Sequence, residues 1–447
     1  MFEKVLIANR GEIAVRIIRA CRELGIRCVA VYSTADKNAL HAQIADEAIC
    51  IGPANTKDSY LNSQALLAAC EITGSDAVHP GFGFLSENAD FARQCNKCGI
   101  TFIGPSPESI EMLGDKATAK ETMKKAGVPV IPGSDGAVKN IDDAKMIANE
   151  IGYPILVKAS AGGGGRGIRL VEKESDLESR FIAAKQEAKS FFGDDGVYLE
   201  KFIINPRHVE IQVVADKHGN VVHLGERDCS MQRRNQKVLE ESPSPIMTEE
   251  LREKMGEAAV KAAKACGYYN VGTIEFLVDK NLDFYFMEMN TRIQVEHPVT
   301  EFVTGIDLVK TQLKIASDEV LSFTQDDVKI IGHSIECRIN AENPSMGFRP
   351  SPGKIIALHT PGGPGIRMDS AAYQGYIIPP YYDSMIAKLI VYAPTREDAI
   401  MKMRWALSEF IVEGVDTNID FQLDLIKNPS FESGEYDIGF LDRLMKK

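Results

Sequence analysis

The sequence predicts a multidomain fold of α/β and α+β class, and three observations carry that expectation. The chain has 447 residues, which at ~100–200 residues per domain means two to four domains. Strand-like and helix-like runs alternate through the first hundred residues, the pattern of a parallel, doubly wound sheet. After about Ile330 the texture changes to short strands, Pro-Gly turns and finally a helix, as in a separate β-rich unit.

Val5-Leu6-Ile7-Ala8 is a short buried-strand run. Asn9-Arg10-Gly11 follows, then an amphipathic stretch with Ile13, Ile17, Ala20, Cys21 and Leu24, closed by Gly25. Cys28 to Tyr32, Ala77-Val78 and Thr101-Phe102-Ile103 read as further strands. The result is a Rossmann-like N-terminal domain. Ala8 to Glu12 supplies only one of the three fingerprint glycines, so bound NAD is not expected. Gly104-Pro105-Ser106-Pro107 punctuates the end of that region, and a helical run from Lys116 to Lys125 follows. From Pro154 to Gly196 the pattern reads strand, glycine loop, strand, helix. From Tyr198 to about Val303, β-rich runs surround one long helix from about Glu249 to Cys266. The last helix starts at Pro394-Thr395 with Asp398 in capping position, and Ile400, Met403, Leu407 and Phe410 form its apolar stripe.

Composition narrows the function classes. A net charge of −12 disfavours general binding to nucleic acid or to an anionic membrane. The longest stretch free of Asp, Glu, Lys and Arg is Ser370 to Tyr382, broken by paired prolines, so no membrane-spanning helix is expected. The N-terminus turns acidic at Glu3 and shows no secretory signal, which points to the cytoplasm. The nine cysteines are scattered, and most of them, Cys21, Cys70 and Cys266 among them, read as small core residues. Cys95 and Cys98 have redox or zinc spacing, but no second pair at ligand spacing completes a site.

Three motifs carry chemistry. Ile155-Leu156-Val157-Lys158 leads through Ala159-Ser160-Ala161 into Gly162-Gly163-Gly164-Gly165-Arg166-Gly167 and on to Ile168-Arg169-Leu170-Val171. Such glycines let backbone N–H groups approach a phosphate, and Lys158 adds a point charge. The loop lacks the Gly-Lys-Ser/Thr end of a P-loop and joins two strands as a flap. Four consecutive glycines also cost too much chain entropy for a mere turn. The second motif is a hairpin of Thr273 to Val278 and Phe284 to Asn290 about a turn near Asn281. Pairing centred there sets Glu275 opposite Glu288, with Asn290 on the same face. Two such carboxylates would repel without a cation, and hard oxygens suit Mg²⁺ shared with substrate phosphates. A surface hairpin with outward acids is the alternative. Immediately after it, Arg292 could stabilise an oxyanion and Glu296 could act as a base, with a salt-bridged loop as the alternative. The third motif, Gln232 to Lys237, gathers Arg233, Arg234 and Lys237 as a phosphate or carboxylate site or a solvated charge run. Arg338 lies on the polar face of a strand through Glu336 to Asn340.

Flap, acid hairpin and Asn-x-Arg together resemble an ATP-grasp ligase. Longer strings narrow the resemblance to biotin carboxylase: Ala8 to Ala14, His79 to Asn88, the glycine flap, and Met289 to Glu301, over essentially the whole chain. No Ala-Met-Lys-Met biotin-attachment sequence follows, so the chain resembles a free-standing subunit such as that of bacterial acetyl-CoA carboxylase. The resemblance implies three domains: 1–114 Rossmann-like, 115–330 ATP-grasp with a lid at about 131–202, and 331–447 β-rich and C-terminal. It implies phosphorylation of bicarbonate by ATP to carboxyphosphate, then carboxylation of biotin at N1′. Lys116, Lys158, Gly164, Gly165, Glu200, Lys201, Phe202 and Ile203 would bind ATP, with His208 near the ribose. Glu275, Glu288 and Asn290 would hold Mg²⁺ or Mn²⁺. Lys237, Arg292, Gln294, Val295 and Arg338 would surround bicarbonate. Glu296 would be its base, and Arg338 would stabilise the biotin anion. The implied partners are a biotin carboxyl carrier protein, carboxyltransferase subunits and a second copy of the chain. The final acceptor stays open among acetyl-CoA, pyruvate and other acyl-CoA substrates, and another ATP-grasp ligase is the alternative. Two positions depart from the family pattern: Asn235 stands where His is common, at a nucleotide contact, and Phe82 where Tyr is common, near the implied biotin pocket.

Overall fold

The computed structural model describes residues 1–159, 168–192 and 195–446. They form two compact units. The first comprises Met1–Val128, Arg207–Phe276 and Glu288–Lys447; the second, Pro129–Pro206 and Leu277–Met287.

Within the first unit, five strands form a sheet in the order Glu47–Gly52, Arg27–Ser33, Lys4–Ile7, Ala77–His79, Thr101–Phe102. All four pairings are parallel. The runs are continuously apolar because both faces are covered. Val5 and Ile7 pack with Ile13 and Ile17 of the helix Gly11–Glu23, whereas Leu6 and Ala8 pack with Val29, Val31 and Leu66 on the other side. This is the expected Rossmann-like domain. Strand order reverses beside Lys4–Ile7, where α/β sheets open their ligand crevice. There Asn9 Nδ2 donates to the carbonyls of Pro80 (2.6 Å) and Phe82 (2.7 Å).

An eight-stranded sheet runs Phe284–Asn290, Asn270–Val278, Arg207–Ala215, Val221–Arg233, Gln236–Ser242, His333–Asn340, Met385–Ala393, Ile366–Ser370. The long helix covers Glu249–Ala265, capped by Thr248, whose side chain accepts from the Leu251 N–H. The helix Arg396–Glu409 is capped by Thr395, and Ile400, Met403, Leu407 and Phe410 are all buried against Ile335, Leu389 and Val391. It does not end the chain: Ile419–Ile426, Pro429–Glu432 and Phe440–Leu444 follow as short helices. Segments this short do not hold a helix by propensity and form by packing, here of Leu425, Ile426, Phe431 and Leu441.

The second unit is built on three antiparallel strands, Ile168–Val171, Ile155–Ala159 and Val197–Lys201. Helices Ile141–Ile151 and Glu174–Phe192 cover them through Ala144, Ala148, Leu177, Phe181 and Ala184. The strands flanking the glycine loop pair as expected, Lys158 opposite Ile168, while residues 160–167 lie outside the described residues.

All nine cysteines are unpaired; Cys95 is buried and Cys98 exposed. Neither belongs to a metal-sized group of ligating side chains among the described residues. Among the same residues no helix is long and apolar enough to cross a membrane.

Glu241 is fully buried and ties the C-terminal segment to the sheet. Its carboxylate accepts from His333 Nε2 (2.7 Å), Arg396 Nε (2.7 Å) and the Tyr436 hydroxyl. Burial alone would raise its pKa, but the bonds and charges of His333 and Arg396 outweigh burial and bring it down to about 2. A carboxyl depressed on folding adds stability above its unfolded value and loses it as pH falls through the folded one. Unfolding titrations should therefore show stability falling from about pH 4.5 toward 2, with a shallower fall in Glu241→Gln. By the same denaturation assay, Met403→Ala should cost about 2–5 kcal/mol and the exposed Ser408→Ala less than about 0.5 kcal/mol.

Candidate active site

In Arg207–Ala215 every residue is buried, yet His208, Glu210 and Gln212 recur at every second position and so share one face of the strand. Arg227 lies directly opposite Glu210, its Nε 2.5 Å from Glu210 Oε1. Its other nitrogens donate to Gln212 (2.6 Å), Thr300 (2.9 Å) and Thr273 (3.1 Å). This fully buried guanidinium fixes one wall of the site.

Lys237 occupies the centre. Its Nζ donates to Glu296 Oε1 (2.6 Å), Glu210 Oε2 (2.7 Å) and Glu275 Oε1 (2.9 Å). Arg338 closes the other side, with Nε 2.6 Å from Glu240 Oε1 and Nη2 3.0 Å from Glu296 Oε2. Both oxygens of Glu296 are thus held by cations, at the N-terminal end of the helix His297–Thr304, where a negative charge is further favoured. Burial would raise Glu296, but Lys237, Arg338 and Arg227 together hold it well below the usual carboxylate range. Glu275 is depressed in the same way, its burial outweighed by Lys237 and His208. Lys237 is correspondingly raised: burial lowers it, and the surrounding acids more than compensate.

The acid hairpin is compensated from within the protein as well. Glu275 does not stand unneutralised without a metal: its Oε1 accepts from Lys237, Asn290 Nδ2 (2.9 Å) and Gln294 Nε2 (3.2 Å), and Oε2 lies 3.3 Å from His208 Nε2. His208, Glu210 and Glu275 are close enough together to ligate a metal, but the Lys237 ammonium already bonds two of the three. Glu288 is partly exposed, with Lys116 Nζ at 3.4 Å. The two carboxylates of Glu275 and Glu288 and the amide oxygen of Asn290 are a donor set suited to a hard divalent ion.

Arg292 is brought to the same region but does not touch Glu296. Its Nε donates to Glu87 Oε2 (2.8 Å) and its Nη2 to Asn290 Oδ1 (3.0 Å), with Gln294 Oε1 at 3.4 Å. The Val295 carbonyl accepts from Lys388 Nζ (2.7 Å), a fully buried ammonium that also faces Glu12. The Phe82 ring packs partly buried against the N-terminal core.

The three cations of 233–237 do not act together. Arg234 and Asn235 both have positive φ, +51° and +63°, and form the two-residue turn between Val221–Arg233 and Gln236–Ser242. That turn sends Arg233 over the Phe348 ring at 3.9 Å and leaves Asn235 exposed; only Lys237 enters the cluster. Asn also tolerates the left-handed conformation required there.

In the second unit, Lys158 pairs with Glu200. Lys201 Nζ donates to the carbonyls of Gly152 (2.8 Å) and Tyr153 (3.1 Å), and the Phe202 N–H to that of Pro154 (3.0 Å). Ile203 is buried. Gly164 and Gly165 lie outside the described residues. Sequence reasoning missed Glu210, Arg227 and Glu240 and gave Glu87 no role. The one available signal was the period-two polar stripe His208, Glu210, Gln212 within an apolar strand.

Three family descriptions match the chain in succession. These are the biotin carboxylase N-terminal domain over residues 1–110, the carbamoyl-phosphate synthase L chain ATP-binding domain over 115–324, and the biotin carboxylase C-terminal domain over 336–443. Biotin carboxylase 1 of Bacillus subtilis is 61% identical over 99% of this chain and 98% of its own. A pyruvate carboxylase subunit from Methanothermobacter thermautotrophicus is 57% identical over 99% and 90%. The biotin carboxylase domain dimer of Hydrogenobacter thermophilus 2-oxoglutarate carboxylase, solved with MgADP, ADP and bicarbonate, superposes with a TM-score of 0.89. Its identity is 54%, over 99% of this chain and 98% of that one. Matched along nearly its whole length by sequence and fold alike, the chain belongs to the biotin carboxylase family.

Proposed function

We propose that this biotin carboxylase, an ATP-dependent ligase, serves acetyl-CoA carboxylase. It would carboxylate biotin on a biotin carboxyl carrier protein, using bicarbonate and ATP, as the first step toward malonyl-CoA for fatty-acid synthesis. The observation that carries the reaction is Glu296, ionised yet clamped between Lys237 and Arg338. The 61% identical Bacillus subtilis relative, a biotin carboxylase by name, supports the carboxylation of biotin.

In this reading Lys116, Lys158, Glu200, Lys201, Phe202, Ile203, His208 and Asn235 bind ATP, and the backbone at Gly164 and Gly165 meets its phosphates. Glu275, Glu288 and Asn290 hold Mg²⁺ or Mn²⁺, which when bound neutralises phosphate charge. Lys237, Arg292, Gln294, Val295 and Arg338 receive bicarbonate. An anion entering there shares the charge of Lys237 and Arg338, which raises the proton affinity of Glu296 and lets it act as base. The deprotonated oxygen attacks the γ-phosphorus of ATP, giving carboxyphosphate and ADP. The C–O bond of carboxyphosphate breaks to give CO₂ and trianionic phosphate, the phosphate takes the N1′ proton of biotin, and N1′ bonds to the carbon of CO₂, with Arg338 stabilising the biotin anion near Phe82. Carboxyltransferase subunits then take the carboxyl group onward.

The chain would work as a homodimer. The exposed Met401 (58%) and Trp405 (42%) on Arg396–Glu409 support self-association, as does the dimer of the Hydrogenobacter relative. Unpaired cysteines support a reducing cytoplasmic setting.

A second reading keeps the half-reaction and changes the acceptor to a 2-oxo acid such as pyruvate, favoured by the 57% identical Methanothermobacter relative. Two outcomes are expected. Arg292→Ala and Glu296→Gln should each lower bicarbonate-dependent, biotin-stimulated ATP cleavage by at least ~10²-fold; full activity in both would contradict the assigned roles. Reconstitution with a biotinylated carrier and an acetyl-CoA transferase should yield malonyl-CoA, whereas product only with a pyruvate transferase would select the second reading.

A further inference from the structure

Glu240 and Glu241 are consecutive and both fully buried, which is rare for glutamate unless each is paired. Successive strand side chains leave on opposite sides of the sheet. Glu241 turns to His333, Arg396 and Tyr436 and serves the fold. Glu240 turns to Arg338, whose Nε and Nη2 both reach Glu240 Oε1, and no role above accounts for it.

We propose that Glu240 is a positioning residue for Arg338, fixing the guanidinium beside Glu296 where the bicarbonate and biotin anions would lie. The inference rests on the reading under Proposed function. Arg338 is long, and its Nη2 bond to Glu296 fixes only one corner of a planar group. Two nitrogens anchored on Glu240 fix the plane as well, and the grip is strong because both partners are charged. Glu240 is itself fixed by backbone pairing, opposite Glu336 of His333–Asn340, the strand that carries Arg338. Holding an arginine ready at the reacting anions costs no reorganisation during the reaction, the condition under which such groups are most effective.

The surroundings make this grip sensitive to pH. Glu240 faces Glu336, Cys337 and Arg338 from His333–Asn340, Glu296 from the start of the helix, Cys229 from Val221–Arg233 and Lys237 from its own strand; Lys388 faces Glu336. Burial and the Glu296 charge raise Glu240 to about 7, against the opposing pull of Arg338 and Lys237. Above that pH Glu240 is an anion and holds Arg338 by charge; below it the bond weakens. Activity should therefore rise with pH through about 7.

The test compares wild type, Glu240→Gln and Glu240→Asp in bicarbonate- and biotin-dependent ATP cleavage across pH, with thermal melting of each. In the folded Gln variant, kcat should fall at least ~10-fold with KM for ATP within about twofold, as for loss of an interaction made in the transition state. The limb near pH 7 should disappear in Gln and persist in Asp, which keeps the charge on a shorter arm. A folded Gln variant with wild-type kcat and an unchanged pH profile would overturn the inference. Should the Gln variant not fold, Asp decides: reduced kcat with the limb retained supports it, and wild-type kcat overturns it. Wild type inactive with biotin would instead overturn the underlying functional reading.

Discussion

One buried ammonium governs the arrangement of this site. Lys237 Nζ lies within 2.9 Å of carboxylate oxygens on Glu210, Glu275 and Glu296, which come from two different strands and the start of a helix. Without it, three acids in a water-poor region would repel one another, and removing the charged partner of a buried pair costs about 3–5 kcal/mol. Arg227 and Arg338 extend the same compensation outward to Glu210 and Glu240. The cluster is an alternation of charges in which each carboxylate meets a cation.

That alternation also sets the chemistry. A carboxylate held far below its normal pKa is ionised at neutral pH, and it becomes a useful base only when its cations turn partly to another anion. Under the proposed function, bicarbonate is that anion. The net charge of −12 hides this local reversal, because Lys237, Arg292 and Arg338 converge where the overall composition would forecast an anion-repelling surface. The fold supplies the required rigidity: Arg227 opposite Glu210, Glu240 opposite Glu336 and Lys388 under the Val295 carbonyl each fix a charged side chain through backbone pairing or burial.

Much of this was legible locally. Continuous apolar runs at Val5–Ile7 and Cys28–Val31 indicated a covered parallel sheet, and the Thr395 cap with its apolar stripe placed the helix Arg396–Glu409. Arg292, Gln294 and Glu296 were found because they are close in sequence. Glu210, Arg227 and Glu240 were not, because their proximity depends on strand order, in which Gln236–Ser242 pairs with His333–Asn340 across nearly a hundred residues. The turn at Arg234 and Asn235 likewise split a cation trio that is contiguous in sequence. The acid hairpin suggested a metal through repulsion and its hard oxygen donors; that Lys237, from another strand, also neutralises Glu275 could not be read locally.

The most direct measurement is an infrared titration of the carboxyl groups in wild type and Lys237→Met. Wild type should show Glu275 and Glu296 ionised throughout the neutral range, because Lys237 holds both below the usual carboxylate range. Loss of the ammonium should leave one acid too many, so Lys237→Met should show a newly protonated buried carboxyl at pH 7, with one additional proton bound per chain. A carboxyl spectrum in Lys237→Met identical to wild type across that range would contradict the account.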